Sequence, residues 1–244
     1  MTDLNFIFSF HLWAATESIS VMKMLADQAE KNLSLAVVEA DIPGGVTEYE
    51  YEDEVCDEYG ISHPHQRTYY SCGSSVGYDY DDVKSEYKAL ITQLTRRSAY
   101  LTMFGLFEHR ISKCLTFMVD LIKCDEREIK GKGPIEKAHV VLKKFIGGKG
   151  IPDVDHLTKI RNIMIHDDGV ATDYKKILSK QGKKTPAEKR LLNAINRAKG
   201  VSVNYFDGVL MDGEFLMYAV NEFHRYITSL EAAVQTYHKE QASV

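Results

Sequence analysis

Two charged side chains occupy helix positions where the sequence pattern predicts apolar residues. Across residues 101–122 apolar residues recur at steps of three and four, and Glu108 stands at one of those steps. Arg161 falls within the apolar arc of a second predicted helix, over residues 152–166. A buried carboxylate and a buried guanidinium each need a partner, and arginine can bind a carboxylate through two parallel hydrogen bonds. We therefore expect Glu108 and Arg161 to pair.

Asn162 and His166 follow on the same predicted helix and could supply proton-transfer chemistry. They are four positions apart, so they lie one turn from each other on its polar side. Histidine titrates near neutral pH and arginine binds phosphate, which suits work on a phosphodiester. On an ideal helix Arg161 and His166 are about 140° apart, so they share an edge only if the helix loosens at its end, near residues 167–169. The alternative is an Arg–Glu pair that joins two helices and an ordinary histidine at a helix C-terminus.

A second set of side chains, in an acidic part of the chain, has the chemistry of zinc ligands. Two thiols and two imidazoles lie within 17 residues: Cys56, His63, His65 and Cys72. Their types suit zinc, but their spacing matches no common zinc module. We predict that the chain binds no metal. The alternative is a structural zinc site formed by these four residues.

The net charge of −5 hides an uneven distribution along the chain. Residues 1–86 carry 17 acidic and 4 basic residues, whereas residues 123–199 carry 19 basic and 10 acidic residues. The basic part favours a polyanionic partner, although lysine-rich surfaces that are only solvated give the same pattern. The cations that we expect to contact RNA are Lys159, Arg110, Lys175 and Lys176.

Apolar periodicity and the positions of glycine and proline predict six helices. They cover about residues 10–33, 82–124, 135–146, 152–166, 186–198 and 216–237. The helix over 82–124 contains no proline and one glycine, so it is expected to be the longest.

The remaining segments predict little regular structure. Residues 34–80 are acidic and rich in tyrosine and glycine, which indicates a long irregular insertion of unassigned role. Residues 201–211, with Asp207-Gly208 in the middle, predict a small hairpin with a tight turn. We therefore predict an all-α fold: one mainly helical domain of residues 1–244, with this insertion and a β-hairpin before the C-terminal helix.

Composition excludes several classes of protein. The chain has 244 residues, 44% of them hydrophobic, with 16 Gly and 5 Pro, which is neither collagen-like nor largely disordered. No apolar run reaches the ~18 residues of a membrane span, so no membrane contact is expected. The N-terminus lacks the basic start of a signal peptide and the four cysteines include no C-x-x-C pair. We expect a cytoplasmic protein with reduced thiols.

The order of these features resembles the HEPN superfamily. A helix carrying Glu108 is followed by a shorter helix, then by the helix with Arg161, Asn162 and His166, and a terminal helix comes last. HEPN ribonucleases carry an arginine, often a polar residue after it, and a histidine four to six positions beyond. The resemblance covers residues 82–237 in architecture and implies a HEPN-like helical bundle.

The resemblance implies a metal-independent endoribonuclease that acts as a homodimer and needs no cofactor. The Arg-x4-His helices of two subunits would face each other across a cleft, with Arg161 and His166 as catalytic residues. Asn162 would bind substrate or orient His166, and Glu108 would hold Arg161. The products would end in 2′,3′-cyclic phosphate or 3′-phosphate. Such a protein would be a toxin or an antiviral defence effector, restrained by an antitoxin or another regulatory protein.

One position departs from the best-known HEPN toxins. In those paired with a nucleotidyltransferase antitoxin, a modified tyrosine stands two positions after the histidine, whereas Asp168 stands there in this chain. That control mechanism is therefore not expected to apply. The alternative function is a HEPN-like domain without catalysis, which binds RNA, a nucleotide or a protein through the same cleft.

Overall fold

A computed structural model describes residues 9–56 and 58–242, of which 62% are helical and 14% are in strands. A 3-10 turn lies at Glu126–Glu128. The longer elements, in chain order, are α1 (Phe10–Glu39), β1 (Thr47–Cys56), β2 (Ser62–Cys72), β3 (Ser75–Gly77), α2 (Tyr80–Ile122), α3 (Pro134–Lys144), α4 (Asp155–His166), α5 (Tyr174–Ser179), α6 (Pro186–Arg197), β4 (Val201–Val203), β5 (Val209–Met211) and α7 (Phe215–Ala242).

The prediction of an all-α fold is wrong, because the chain also forms two antiparallel sheets. The segment 34–80, predicted to be an irregular insertion, completes α1 and then forms a three-stranded sheet in the order β1-β2-β3. Strand β1 pairs with β2 along its whole length, from Thr47 opposite Ser71 to Cys56 opposite Ser62. Acidic residues alternate with tyrosines in β1, and this period of two is typical of a strand.

The chain divides into two compact units, one of which is residues 28–96. Its small core lies where the end of α1, the sheet and the start of α2 meet, and contains Ala40, Val46, Cys72 and Val83, with Tyr70 and Tyr87 packed against it. Two ion-pair groups tie the helices of this unit together. Arg96 donates two hydrogen bonds to Glu30, at 2.7 and 2.8 Å, and Asp41 accepts from Lys88 at 2.6 Å.

The second unit holds the rest of the chain, and aromatic side chains fill its core. Phe107 of α2 stacks on Phe223 of α7 with ring centroids 4.3 Å apart, and Tyr100 meets Phe215 edge to face at 4.8 Å. Aromatic pairs in these geometries add to the stabilisation that comes from burial alone. Helices α2 and α7 are therefore joined along the middle of this unit.

Two predicted elements differ in detail from the structure. The buried face of α2 is centred on Phe107, Ile111 and Cys114, so Glu108 lies at its edge and not within it. The hairpin β4-β5 is present, but the predicted two-residue turn is replaced by a loop over residues 204–208, which the side chain of Asn204 organises. In the ranges that the structure describes, none of the helices combines the length and the hydropathy of a membrane-spanning segment.

Candidate functional site

The predicted ion pair between Glu108 and Arg161 is present and joins α2 to α4. The Nη2 atom of Arg161 donates to Oε2 of Glu108 at 3.1 Å, and its Nη1 atom donates to Oδ1 of Asn162 at 3.0 Å. The guanidinium also lies 5.5 Å from the centroid of the Phe104 ring, in cation–π geometry. Three neighbours thus fix the direction of Arg161, and the N–H groups that bond to no described residue can bind a ligand.

The pair is half-buried, not buried as the sequence pattern indicates. The side chains of Arg161 and Glu108 are 27% and 31% exposed. Both lie beside the apolar faces of their helices, since Ile160, Ile163 and Met164 are the buried neighbours on α4. An ion pair at such a boundary keeps its charges in contact with water, which a substrate can displace.

Packing against the aromatic core positions α4. Leu157 and Ile160 are fully buried, and the hydroxyl of Tyr100 donates to the carbonyl of Leu157 at 2.6 Å. Helix α6 holds the first turn of α4, because Nε of Arg190 donates to Asp155 at 2.8 Å. The backbone that carries Arg161 is therefore fixed from two sides.

Arg161 opens into a cleft of about 240 Å³, which we call the Arg161 cleft. Its lining is rich in charge and includes Glu108, Lys132, Glu136, Arg161, Asn162 and Arg190. A second pocket of about 380 Å³ adjoins it and shares Ile135, Glu136 and Thr158 with it. His139 lines this second pocket, where burial, and then the charge of Lys143, lowers the pKa of its imidazole. A ligand with an anionic group at Arg161 would have room beside it for a less polar part.

His166 is exposed at the last position of α4, outside the residues that line the Arg161 cleft. The helix does not loosen before this point, because the N–H of Asp167 still donates to the carbonyl of Ile163 at 3.1 Å. Asp168, with φ 48°, then turns the chain away. Arg161 and His166 therefore stay about 140° apart around the helix, and in the described part of the chain no contact joins them.

The four cations predicted to bind RNA lie on three different helices and differ in exposure. Lys159 lies half-buried on α4, and Arg110 lies on α2 with its Nε atom buried. Lys175 and Lys176 are exposed on the short helix α5. Of these four residues, the two α5 lysines are the exposed ones.

The four zinc-type side chains are held apart by the sheet. Cys56 and His63 lie at the far end of the β1-β2 hairpin, next to His65, whereas Cys72 is buried at the other end of β2. At a rise of ~3.3 Å per residue, the nine steps from His63 to Cys72 span roughly 30 Å. Nowhere in the described ranges do three or more residues of these types gather as metal ligands. The sheet therefore does not bring these four side chains together, and they are strand residues, not loop residues.

Sequence reasoning missed a buried polar group around His156. This side chain is almost fully buried, its Nε2 lies 3.0 Å from the hydroxyl of Tyr218, and that hydroxyl donates to the carbonyl of Arg197 at 2.9 Å. Burial, and then the positive charge of Arg197, lowers the pKa of His156 to about 4. The imidazole is therefore neutral at pH 7 and acts in packing. The sequence signal was only a histidine next to Leu157 in the apolar arc of α4.

Comparisons with known proteins give no family assignment. A scan against protein-family models found no match. Searches of curated proteins and of solved structures also found none. The arrangement of the side chains is thus the basis for a functional proposal.

Proposed function

We propose that this protein is a metal-independent endoribonuclease of the HEPN type. The observation that supports it is the fixed direction of the Arg161 side chain at the Arg161 cleft, where Glu108, Asn162 and Phe104 contact it. The same helix presents His166 to solvent. Arginine so held is suited to a phosphate, and an exposed histidine is suited to proton transfer.

The reaction uses the RNA's own 2′-hydroxyl as nucleophile. A neutral His166 takes the proton of the 2′-hydroxyl as its oxygen attacks the adjacent phosphorus. The bond from phosphorus to the 5′-oxygen breaks, and a protonated His166 gives its proton to that oxygen. Arg161 stabilises the negative charge that builds on the phosphoryl oxygens. The products are a 2′,3′-cyclic phosphate and a 5′-hydroxyl, and hydrolysis of the former gives a 3′-phosphate.

The base and the acid come from two copies of His166, so the proposal requires a homodimer. One chain supplies one His166, and the structure keeps it about 140° away from its own Arg161. Two α4 helices related by a twofold axis would place the histidine of each chain near the arginine of the other. The site is then incomplete in a single chain.

Incubation of the protein with total RNA in EDTA tests the proposal. We expect cleavage by the wild type, loss of cleavage in His166→Ala and in Arg161→Ala, and fragments that end in 2′,3′-cyclic phosphate. A substrate with 2′-deoxyribose at the scissile position should not be cut. The control variants are His224→Ala, at an exposed histidine of α7, and Arg127→Ala, at an exposed arginine paired with Asp125. Equal loss in the controls, or cleavage that survives in both test variants, would overturn the proposal.

A second candidate function is a non-catalytic module that binds RNA, a nucleotide or a protein through the Arg161 cleft. The angle of about 140° around α4 between Arg161 and His166 favours this function, because a binding site at the cleft needs Arg161 but not His166. In the same assay, binding that depends on Arg161 without cleavage by any variant would identify this function.

The biological role we propose for the nuclease is that of a toxin or antiviral defence effector. A nuclease that cuts RNA through the 2′-hydroxyl threatens the cell that makes it, so an antitoxin or regulatory protein should restrain it. Expression of the wild type and of His166→Ala in the same host tests this: growth arrest is expected with the wild type alone.

A further inference from the structure

Two aromatic rings stand in solvent at the loop of the β4-β5 hairpin. Tyr205 and Phe206 are 81% and 82% exposed. Aromatic rings are more often buried than exposed in this way. Exposed aromatic side chains that lie next to each other are typical of surfaces that bind a ligand or a partner molecule.

Hydrogen bonds within the loop hold these rings outward. The side-chain oxygen of Asn204 accepts from the N–H of Phe206 at 2.9 Å and from the N–H of Gly208 at 2.8 Å. The backbone N–H of Asn204 donates to the carbonyl of Gly208 at 2.9 Å, which closes the loop. The two rings meet edge to face with centroids 5.5 Å apart. The exposure of the rings is thus part of an ordered loop.

The same loop is bonded to the chain that leaves α4 after His166. The N–H of Ala171 donates to the carbonyl of Asp207 at 2.7 Å, and the N–H of Val209 donates to the carbonyl of Gly169 at 2.8 Å. Val170, four residues after His166, forms a bridge with Gly208. A path along these residues from His166 to Phe206 is at most roughly 27 Å. The backbone of the loop that carries the rings is therefore attached directly to the segment that follows His166.

A lysine of α5 lies against one of the rings, and a second lysine follows it on the same helix. The Nζ of Lys175 lies 4.6 Å from the centroid of the Tyr205 ring, and its backbone N–H donates to the carboxylate of Asp207 at 3.3 Å. Lys176 follows, 84% exposed, 3.9 Å from Asp173. The nearby carboxylate of Asp168 pairs with Arg97 at 3.3 Å. Aromatic faces beside lysines combine stacking with phosphate attraction.

We propose that Tyr205 and Phe206 form a stacking platform for unpaired bases and that the substrate class is single-stranded RNA. This inference rests on the proposed function, since the platform serves a phosphodiester held near His166. Bases in a duplex are stacked on each other and offer no free face, whereas a single strand can place its bases on protein rings. Lys175 and Lys176 would hold the phosphates on either side of the stacked base.

Binding of a non-cleavable strand tests the platform separately from catalysis. The probe is a fluorescent single-stranded 2′-O-methyl oligonucleotide, which lacks the attacking hydroxyl, and its affinity for the full-length protein is measured by anisotropy in EDTA. The double variant Tyr205→Ala/Phe206→Ala should bind the probe about 5- to 150-fold more weakly per base lost from the rings. Tyr205→Phe/Phe206→Tyr keeps both rings and should bind as the wild type does. The control is Tyr59→Ala, since Tyr59 is also 81% exposed but lies on another loop.

Three outcomes would overturn the platform. They are a change of less than about twofold in the double variant, an equal loss in Tyr59→Ala, or equal binding of the same probe annealed to its complement. A double variant that retains binding but loses its dimeric mass in light scattering would instead assign the rings to the contact between two copies.

Failure of the platform and failure of the nuclease give different results. If unmodified RNA is cut in a manner that depends on Arg161 and His166, and the double variant binds and cuts normally, the platform alone is wrong. If no chain cuts RNA but the rings are needed for binding the probe, the nuclease is wrong and the platform is a binding surface. Thermal melting of each variant checks that it is folded.

Discussion

At Arg161 the direction of the side chain matters more than the strength of its ion pair. Glu108 and Asn162 each accept one hydrogen bond from it, and Phe104 supports its face. Because both charges remain in part exposed, the pair contributes about 1 kcal/mol or less to the free energy of unfolding. The fork geometry of the guanidinium is the feature that a lysine cannot reproduce.

Arg161→Lys should therefore separate activity from stability. We expect cleavage to fall by about 10²- to 10³-fold, as on removal of a donor to a developing oxyanion, with an unfolding free energy within about 1 kcal/mol of the wild type. Single-turnover cleavage and urea unfolding measure the two effects. Glu108→Gln, which keeps an acceptor without the charge, should have an intermediate rate. A lysine variant that cuts RNA at the wild-type rate would show that the guanidinium is not needed.

His156 makes the stability of the protein depend on pH. Its pKa in the folded protein is about 4, below the value of 6.5 of a free imidazole, because it is buried and close to Arg197. Between pH 6.5 and pH 4 the imidazole of the unfolded chain therefore binds a proton, whereas that of the folded chain does not. Stability is complete above pH 6.5 and falls as the pH drops towards 4, by up to about 3 kcal/mol.

Unfolding in urea at pH 7 and pH 5 tests this linkage. Between these values the wild type should lose about 2 kcal/mol more than His156→Gln, which keeps a hydrogen-bonding group near Tyr218 but does not titrate. Tyr218→Phe removes the hydrogen bond and keeps the imidazole, so its loss should match that of the wild type. Identical pH dependence in the wild type and His156→Gln would show that another group is responsible.

Helix α6 is the element that holds the first turn of the site helix. It begins with a capping box, in which Glu188 N–H donates to the Thr185 hydroxyl at 3.2 Å and Thr185 N–H donates to the Glu188 carboxylate at 2.6 Å. From α6, Arg190 reaches Asp155 at the start of α4, and Arg197 reaches Asp153 just before it. The cap thus stabilises a helix that orients Arg161 only through α4.

Thr185→Ala should lower the free energy of unfolding by about 1 kcal/mol, because it leaves the Glu188 N–H without its acceptor. Thr185→Ser keeps the hydroxyl and should be close to the wild type. Chemical unfolding of the three proteins measures the effect, and the rate of RNA cleavage should stay within about twofold, since α6 remains helical. A loss of activity in the alanine variant larger than its loss of stability would place α6 closer to the reaction than the contacts indicate.

For the whole molecule, the proposed chemistry predicts that two chains share a site. Light scattering should give a dimeric mass under assay conditions. After subunit exchange between wild type and a ninefold excess of His166→Ala, activity per wild-type chain should fall by about tenfold, because few dimers keep two histidines. A ninefold excess of an inert protein is the control. Activity that is merely proportional to the amount of wild type would show that each chain works alone.

The sequence by itself determined five of the described helices and one contact of the site. The breaker residues and the apolar steps of three and four located α2, α3, α4, α6 and α7 to within a few residues, and the misplaced charges predicted the pair of Glu108 with Arg161. The helices follow from a local pattern, since a helix repeats every 3.6 residues, whereas the pair was inferred because each of the two charges needed a counter-charge.

Only the tertiary structure decided which faces of those helices are buried and what residues 34–80 become. The alternation in β1 becomes a strand because β2 lies opposite it, and pairing between strands depends on residues distant in sequence. The depth of Glu108 depends on which side of α2 meets α7, and the position of His156 depends on Arg197 and Tyr218. The attachment of the Tyr205 loop beside the end of α4 is likewise a contact between separate segments, which no local pattern encodes.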